Sequence, residues 1–270
     1  MTSPVIRIAN VHKTLGGRPI LNGIDLEIYE GETMVIMGGS GCGKSTLLRT
    51  LIGLLKPEQG EIHIFDQDMA GASEHEKNNI RKRFGMLFQS AALFNSLSVG
   101  DNVALPLREH TRLDPGIIKI IVRVKLKLVG LTGFENFMPY QISGGMKKRV
   151  ALARAIALDP KIIFYDEPGA GLDPITASMI DHLIRDLSKK LGITSVVVTH
   201  EMKSAFRIAD RVAVLHKGKV AALGTSSEIE NSQNPYVRQF INGEIEGPVS
   251  FEETKEDYLK EIFDDDFDER

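Results

Sequence analysis

The chain has 270 residues, 42% of them hydrophobic and 26% charged, so it can bury one large core with a subdomain attached. Its single cysteine, Cys42, excludes an internal disulfide framework and agrees with a reducing compartment. The net charge is −3, but residues 247–270 alone carry −7, and the remaining body at about +4 is too mildly basic to indicate nucleic-acid binding.

The first third of the chain predicts three strands, and the third of them leads into a glycine-rich loop. Residues 5–11, 20–28 and 33–37 have strand character and are separated by turns that contain glycine. The loop matches the pattern G-x-x-x-x-G-K-S/T, and a helix with regularly spaced leucines follows it. The candidate nucleotide-binding residues are Gly38, Gly39, Ser40, Gly41, Cys42, Gly43, Lys44 and Ser45, with Thr46 in the helix.

Residues 38–45, called the phosphate loop below, have the chemistry that a nucleotide requires. Glycines let successive backbone N–H groups converge on phosphate oxygens, and the N-terminus of the following helix adds partial positive charge. Lys44 is predicted to contact the β- and γ-phosphates, and Ser45 to be a Mg²⁺ ligand. Cys42 is either a small filler residue or a thiol whose pKa the surrounding N–H groups lower, so that its oxidation inhibits the protein.

The remainder of the chain changes character twice. Helical patterns at 116–129 and 145–157 predict a mostly helical insertion. Strand and helix patterns then alternate, which predicts an α/β fold with a mainly parallel sheet covered on both faces. The predicted strands are 162–165, 194–198 and 212–215, and the predicted helices lie near 174–190 and 201–208.

Two acidic residues follow the apolar strand at 162–165. Asp166 lies at the carboxyl end of this strand, where open α/β sheets bind their ligands, and is predicted to hold a hydrated metal ion. Glu167 is then placed to act as general base on an attacking water. Two acids that only cap a strand are the alternative, and the phosphate loop favours the catalytic interpretation.

A second glycine-rich segment, Ser143-Gly144-Gly145-Met146, also precedes a helix. Its serine and its glycine N–H groups would form another anion-binding site, yet the chain already has a phosphate site at Lys44. A second copy of the chain explains both, because residues 143–145 of one copy would close on the γ-phosphate held by the other. The alternative is an ordinary helix N-cap.

These residues resemble the ABC ATPase family along nearly the whole chain, with six motifs in the family's order. The phosphate loop resembles Walker A, Asp166 and Glu167 resemble Walker B and the catalytic glutamate, and residues 142–146 resemble the signature segment. The other three motifs are the Q-loop at Gln89, the D-loop with Asp173 and the switch histidine His200. Taken alone, Gln89 would be a polar strand end and His200 a helix-capping residue.

The resemblance implies a P-loop NTPase fold with a RecA-like core, an antiparallel β subdomain and a helical subdomain. An ATPase domain is expected at 1–246, with its core at 1–90 and 159–246 and the helical subdomain at about 91–158, followed by an acidic tail at 247–270.

The implied ligands are ATP and Mg²⁺, and the implied assembly is a head-to-tail dimer with two ATP molecules sandwiched in it. Lys44, Glu167 and His200 are the implied catalytic residues, and Ser45, Gln89 and Asp166 the implied metal site. Ser143, Gly144 and Gly145 would contact the nucleotide held by the partner, and Asp173 is a further implied nucleotide-binding residue.

Two positions depart from the family pattern. Leu15 stands where many members have an aromatic residue that stacks on adenine, so we expect an apolar adenine contact and loose base selectivity. The signature segment ends in Met146 instead of glutamine, which leaves the glycine N–H groups intact and indicates a subfamily.

Several segments resemble the lipid-transport branch of the family, the maintenance-of-lipid-asymmetry and Mce-associated systems. They are residues 88–94, 101–111, 143–146, 173–176, 238–240 and 247–249. This resemblance implies phospholipid transport between inner and outer membranes through a separate permease homodimer, with the chain peripheral on the cytoplasmic face of the inner membrane. An MCE-domain lipid-binding protein and a small STAS-domain protein are further implied partners.

Alternatives stay open for the cargo and for the tail. The chain could serve an importer of a polar solute such as an amino acid, or be a non-transport ABC protein, although it lacks the insertions and basic patches usual there. The tail at 247–270 sets apolar residues among acids, so it either docks on the neighbouring ATPase subunit or is a solvated end.

Overall fold

A computed structural model describes residues 3–248 of the chain, which contain ten strands in two sheets. The strands are β1 (Pro4–Leu15), β2 (Arg18–Tyr29), β3 (Thr33–Gly38), β4 (Gln59–Ile64), β5 (Gln67–Asp68), β6 (Phe84–Leu87), β7 (Ile162–Asp166), β8 (Thr194–Val198), β9 (Arg211–His216) and β10 (Lys219–Gly224). An antiparallel sheet has the order β2-β1-β4-β5, and a six-stranded sheet has the order β10-β9-β3-β8-β7-β6. In the larger sheet the pairs from β9 to β6 are parallel, and β10 joins β9 antiparallel.

Nine α-helices lie within the described residues, with a 3₁₀ turn at Pro139–Gln141. They are α1 (Lys44–Leu51), α2 (Glu74–Arg81), α3 (Val99–His110), α4 (Pro115–Leu128), α5 (Gly144–Ala155), α6 (Pro174–Leu191), α7 (Met202–Ile208), α8 (Ser226–Glu230) and α9 (Pro235–Asn242). Helices α3, α4 and α5 pack against one another, and α5 also contacts β6.

The six-stranded sheet separates two hydrophobic cores because alternate residues of a strand face opposite sides. In β3, Met34 and Ile36 face a core shared with α1 and the antiparallel sheet. Val35 and Met37 face a second core shared with α3 to α9. All four side chains are fully buried, which is typical of a parallel sheet covered on both faces.

The predicted fold class is confirmed: a P-loop α/β core with an antiparallel β sheet and a group of helices. The sequence interpretation had not identified α9, although Asn234 and Pro235 are a common start signal for a helix. Asn234 Oδ1 accepts the backbone N–H groups of Tyr236 at 3.0 Å and Val237 at 3.4 Å. The proposed domain boundaries stay a prediction, and the tail beyond residue 248 lies outside the described residues.

Within residues 3–248, no helix is both long enough and apolar enough to cross a membrane.

Candidate active site

The strand order brings the predicted catalytic residues to one edge of the larger sheet. β8 lies between β3 and β7, and Val198 of β8 is in register with both Ile36 and Asp166. The phosphate loop after β3, His200 after β8 and Asp166 in β7 therefore emerge side by side. This edge, at the carboxyl ends of the parallel strands, is where open α/β sheets bind their ligands.

The phosphate loop needs glycine at positions where other residues would clash. Gly38 has φ +152°, and a Cβ there would lie 2.4 Å from the Leu215 carbonyl oxygen. Gly43 has φ +107° and precedes the first residue of α1, and its Cβ would lie 2.8 Å from the Ile20 carbonyl oxygen. The loop therefore packs closely against β9 and β2 through bare backbone.

Lys44 is buried at the base of this loop. Its Nζ donates hydrogen bonds to the carbonyl oxygens of Gly38 at 2.7 Å and Gly39 at 2.9 Å. Ser40, Gly41 and Ser45 are exposed, and Thr46 is half-buried. The loop thus exposes its middle residues and the start of α1 to solvent. The ammonium group of Lys44, in contrast, is bound to backbone carbonyls of the loop itself.

The lowered pKa that the sequence suggested for Cys42 is wrong. Its side chain is buried in the loop, 7% exposed, with Sγ 4.0 Å from Lys44 Nζ. Burial raises the pKa of the thiol, because it penalises the charged thiolate, and the Lys44 charge offsets this only in part. Cys42 is therefore a protonated, buried thiol at pH 7, and the structure supports its interpretation as a small filler residue.

Asp166 has the properties of a buried carboxylate that a bound cation would stabilise. Its Oδ1 is buried and makes no hydrogen bond with any described residue. Burial raises the pKa of Asp166, and the neighbouring charge of Glu167 adds to the increase. A bound Mg²⁺ would relieve both effects, so this residue fits the predicted metal site.

The oxygen donors at this edge suit a Mg²⁺ ion that is bound together with substrate, rather than a metal ion that the protein encloses by itself. No group of three or more His, Cys, Asp or Glu side chains able to hold a metal is present among the residues that the structure describes. Mg²⁺ is usually held by one or two protein oxygens together with substrate phosphates and water. Asp166 and the exposed hydroxyl of Ser45 supply oxygens of this kind.

Glu167 is held in an uncommon backbone conformation beside His200. Its φ is +47°, in the left-handed region that few non-glycine residues adopt. Its N–H donates to the Val198 carbonyl at 2.9 Å, and its Oε1 lies 2.8 Å from His200 Nδ1. The carboxyl group is buried, whereas the imidazole is 60% exposed, so the pair connects the interior of the site to its surface.

Lys148 is a residue of this site that the sequence interpretation did not single out. It is 5% exposed, and its Nζ donates to the carbonyl oxygens of Glu167 at 3.1 Å, Pro168 at 2.8 Å and Ala170 at 3.0 Å. A signal was available, since Lys148 follows Gly145 by three residues and so shares its face of α5. The side chain ties the signature helix to the loop that carries Glu167.

The signature segment lies next to the D-loop within the same chain. Ser143 caps α5 by accepting the Met146 N–H at 3.3 Å, so the N-cap interpretation is correct for its hydroxyl. A Cβ on Gly145 would lie 2.4 Å from Thr176 Cγ2, while Asp173 caps α6 by accepting the Thr176 N–H at 3.0 Å. Ser143, Gly144 and Asp173 are all exposed.

Two predicted site residues are not joined to this constellation by hydrogen bonds. Gln89 is exposed in the turn after β6, and its side chain makes no hydrogen bond within residues 3–248. Leu15 ends β1 opposite Arg18 and is 40% exposed. Both side chains are available to solvent.

Comparison with known proteins points to one family, although the names of the relatives differ in cargo. The family model described as ABC transporter matches residues 21–170. The chain is 46% identical over 263 residues to the "Intermembrane phospholipid transport system ATP-binding protein MlaF" of Haemophilus influenzae, which covers 97% of this chain and 100% of that protein. It is 42% identical over 252 residues to the "Probable ribonucleotide transport ATP-binding protein mkl" of Mycobacterium leprae, which covers 93% and 73%.

A solved structure shows the same arrangement of elements. The dimeric post-hydrolysis state of the ATP-binding cassette MJ0796, bound to ADP and Pi, superposes with a TM-score of 0.75 at 35% identity. The match covers 82% of this chain and 98% of that one.

Proposed function

Because this chain belongs to the ABC transporter family, we propose that it is the ATP-hydrolysing subunit of a system that transports phospholipid between membranes. The ATPase part rests on one observation: the phosphate loop, Asp166 and the Glu167–His200 pair meet at one edge of the sheet. The phospholipid cargo is supported by the 46% identity to a phospholipid transport ATPase over that protein's full length.

In the proposed reaction, each residue at the edge has one task. Lys44 would neutralise charge on the β- and γ-phosphates, and Ser45, Asp166 and Gln89 would hold Mg²⁺, which would supply further positive charge there. Glu167 orients and deprotonates the attacking water, and His200 contacts the γ-phosphate. The contact between Glu167 and His200 lets the two act together. Leu15 would provide an apolar contact for adenine.

We also propose that the active unit is a head-to-tail dimer. Ser143, Gly144 and Asp173 are exposed, and the N-terminus of α5 has partial positive charge without an acidic residue in its first turn. These features suit an anion brought by another molecule. A second copy brings one, because the phosphate loop of each chain would hold the ATP that the signature segment of the other covers. The dimeric structure of MJ0796 supports this arrangement.

A groove beside Gln89 is our candidate contact for the permease. It has a volume of about 820 Å³ and lies between α2, β6, α3 and the end of α5, with Phe88, Phe94, Pro106 and Arg154 in its lining. Phe94 is 52% exposed and Phe88 is 38% exposed, so the groove offers apolar surface that a partner can cover. Docking here would place the chain peripherally on the cytoplasmic face of the inner membrane. MCE-domain and STAS-domain proteins complete the proposed complex.

Co-purification with the permease tests the cargo. We expect glycerophospholipid in the complex by mass spectrometry, and ATP-dependent transfer of labelled lipid that is lost in Glu167→Gln. Binding and ATP-driven movement of a ribonucleotide or an amino acid, without lipid, would instead favour the polar cargo suggested by the name of the mycobacterial relative. A Phe94→Ala variant should lose the permease but keep its own ATPase activity, and Phe137→Ala, another exposed phenylalanine, should keep both.

A further inference from the structure

Tyr236 of α9 reaches into the base of the phosphate loop from the far end of the chain. Its hydroxyl accepts the backbone N–H of Gly39 at 3.3 Å and donates to the Leu215 carbonyl at 3.2 Å. The residue is 7% exposed, so these hydrogen bonds are largely shielded from water. Neither the family pattern nor the proposed reaction uses this contact.

The two partners of the hydroxyl lie at the point where the loop is most tightly packed. The Leu215 carbonyl is the group that a side chain at Gly38 would strike, and Gly39 is the next residue of the loop. Lys44 binds the carbonyl oxygens of Gly38 and Gly39 from within the loop. The Tyr236 hydroxyl therefore fixes the start of the loop to β9 from the side opposite Lys44.

Tyr236 is held in place by the contacts of α9 with its neighbours. Asn234 caps α9 and also donates from Nδ2 to the Ala221 carbonyl of β10 at 3.2 Å. Val237 is fully buried, and the Tyr236 ring packs on His216 with ring centroids 3.7 Å apart. Since α9 is anchored at its first turn, the hydroxyl can transmit a constraint to the loop.

We propose that Tyr236 is a positioning residue for the phosphate loop, which makes nucleotide affinity dependent on the C-terminal helix. This inference rests on the proposed function only in assuming that the loop binds ATP. Without the hydroxyl, the start of the loop would sample more conformations, and ATP binding would have to select the competent one. Nucleotide affinity should fall, whereas the hydrolytic step at Glu167 should change little.

The single cysteine of the chain gives a direct readout of loop order. Cys42 is buried inside the loop, and no other residue of the sequence can react with a thiol reagent. A looser loop exposes this thiol more often, so its rate of reaction with an aromatic disulfide, measured without nucleotide, should rise. This measurement does not require the protein to hydrolyse ATP.

Tyr236→Phe removes only the hydroxyl and keeps the ring on His216. We expect Cys42 to react about fivefold faster, matching the loss of one net hydrogen bond, and KM for ATP to rise by a similar factor while kcat stays within about twofold. Tyr29→Phe, which removes a hydroxyl bonded to Glu27 on β2, is the matched control and should change neither quantity.

The outcomes separate the two claims. Equal Cys42 reactivity in Tyr236→Phe and Tyr29→Phe would overturn the positioning role, as would a lowered melting temperature with unchanged KM and reactivity. Absence of ATPase activity in the parent protein would overturn the proposed function and leave the thiol result to decide on Tyr236.

Discussion

The phosphate loop and the signature segment are both glycine-rich and both lead into a helix, yet they differ in how the rest of the chain holds them. The phosphate loop is fixed on two sides, by Lys44 and by Tyr236. The signature segment is exposed at Ser143 and Gly144, and its serine only caps its own helix. One chain therefore holds the phosphate loop in place by itself, whereas it leaves Ser143 and Gly144 of the signature segment open to solvent, as the proposed dimer requires.

The largest expected effect distinguishes the residue that catalyses hydrolysis, Glu167, from the residue of the phosphate loop that binds nucleotide, Lys44. Glu167→Gln should lower ATP turnover by about 10³-fold, because it removes the general base, while ATP affinity is retained. Lys44→Ala should weaken nucleotide binding itself. Turnover and the affinity for a fluorescent ATP analogue would be measured for both. Near-normal turnover in the Glu167 variant would remove its assignment as base.

The next effect tests whether the signature segment belongs to a second site. In Gly145→Ala, the new Cβ would displace Thr176 and tilt the start of α5, and we expect a loss of about 10²-fold in turnover. ATP binding by the isolated chain should be unaffected. Gly38→Ala is the contrast, because it should lose binding as well. If Gly145→Ala also lost binding in the monomer, the two regions would not be separate.

Lys148 connects the signature helix α5 to the loop that carries Glu167, and its removal should moderately lower both stability and turnover. Lys148→Met keeps the length of the side chain but loses three hydrogen bonds from a cation, which should lower the free energy of unfolding by about 2 kcal/mol and turnover by about tenfold. Lys147→Met, on the adjacent and more exposed position, serves as control. Urea unfolding and steady-state turnover would measure the two effects. Matching values for the two variants would argue against the connection.

The smallest effect concerns pH. The pKa of Asp166 is raised in the folded protein, so its ionised form destabilises the fold above that pKa, and this penalty disappears as the pH falls toward the ordinary Asp value of about 3.9. Asp166→Asn should therefore melt at a higher temperature than the parent at pH 7 without Mg²⁺, and the difference should shrink in acid. A constant or reversed difference would show that the carboxylate is not under strain.

Much of the fold could be predicted because buried parallel strands are continuous apolar runs. The strands at 162–165 and 194–198 were predicted in this way, and the α/β alternation predicted that the sheet is mainly parallel, but not the order of its strands. The contact of Tyr236 with Gly39 could not be predicted, since it joins residues 197 positions apart and depends on side-chain direction. The left-handed backbone of Glu167 could likewise not be predicted, because glutamate rarely adopts it.

Helix α5 connects two loops mechanically through two of its basic side chains. Near one end, Lys148 holds the carbonyls that follow β7, and near the other Arg154 donates to the carbonyls of Ala91 at 2.8 Å and Ala92 at 2.7 Å, just beyond Gln89. The two side chains are six residues apart, about 9 Å along a stiff rod. A displacement of residues 91 and 92 would therefore bear directly on α5, and through Lys148 on the loop that carries Glu167, in addition to any path through β6 and β7.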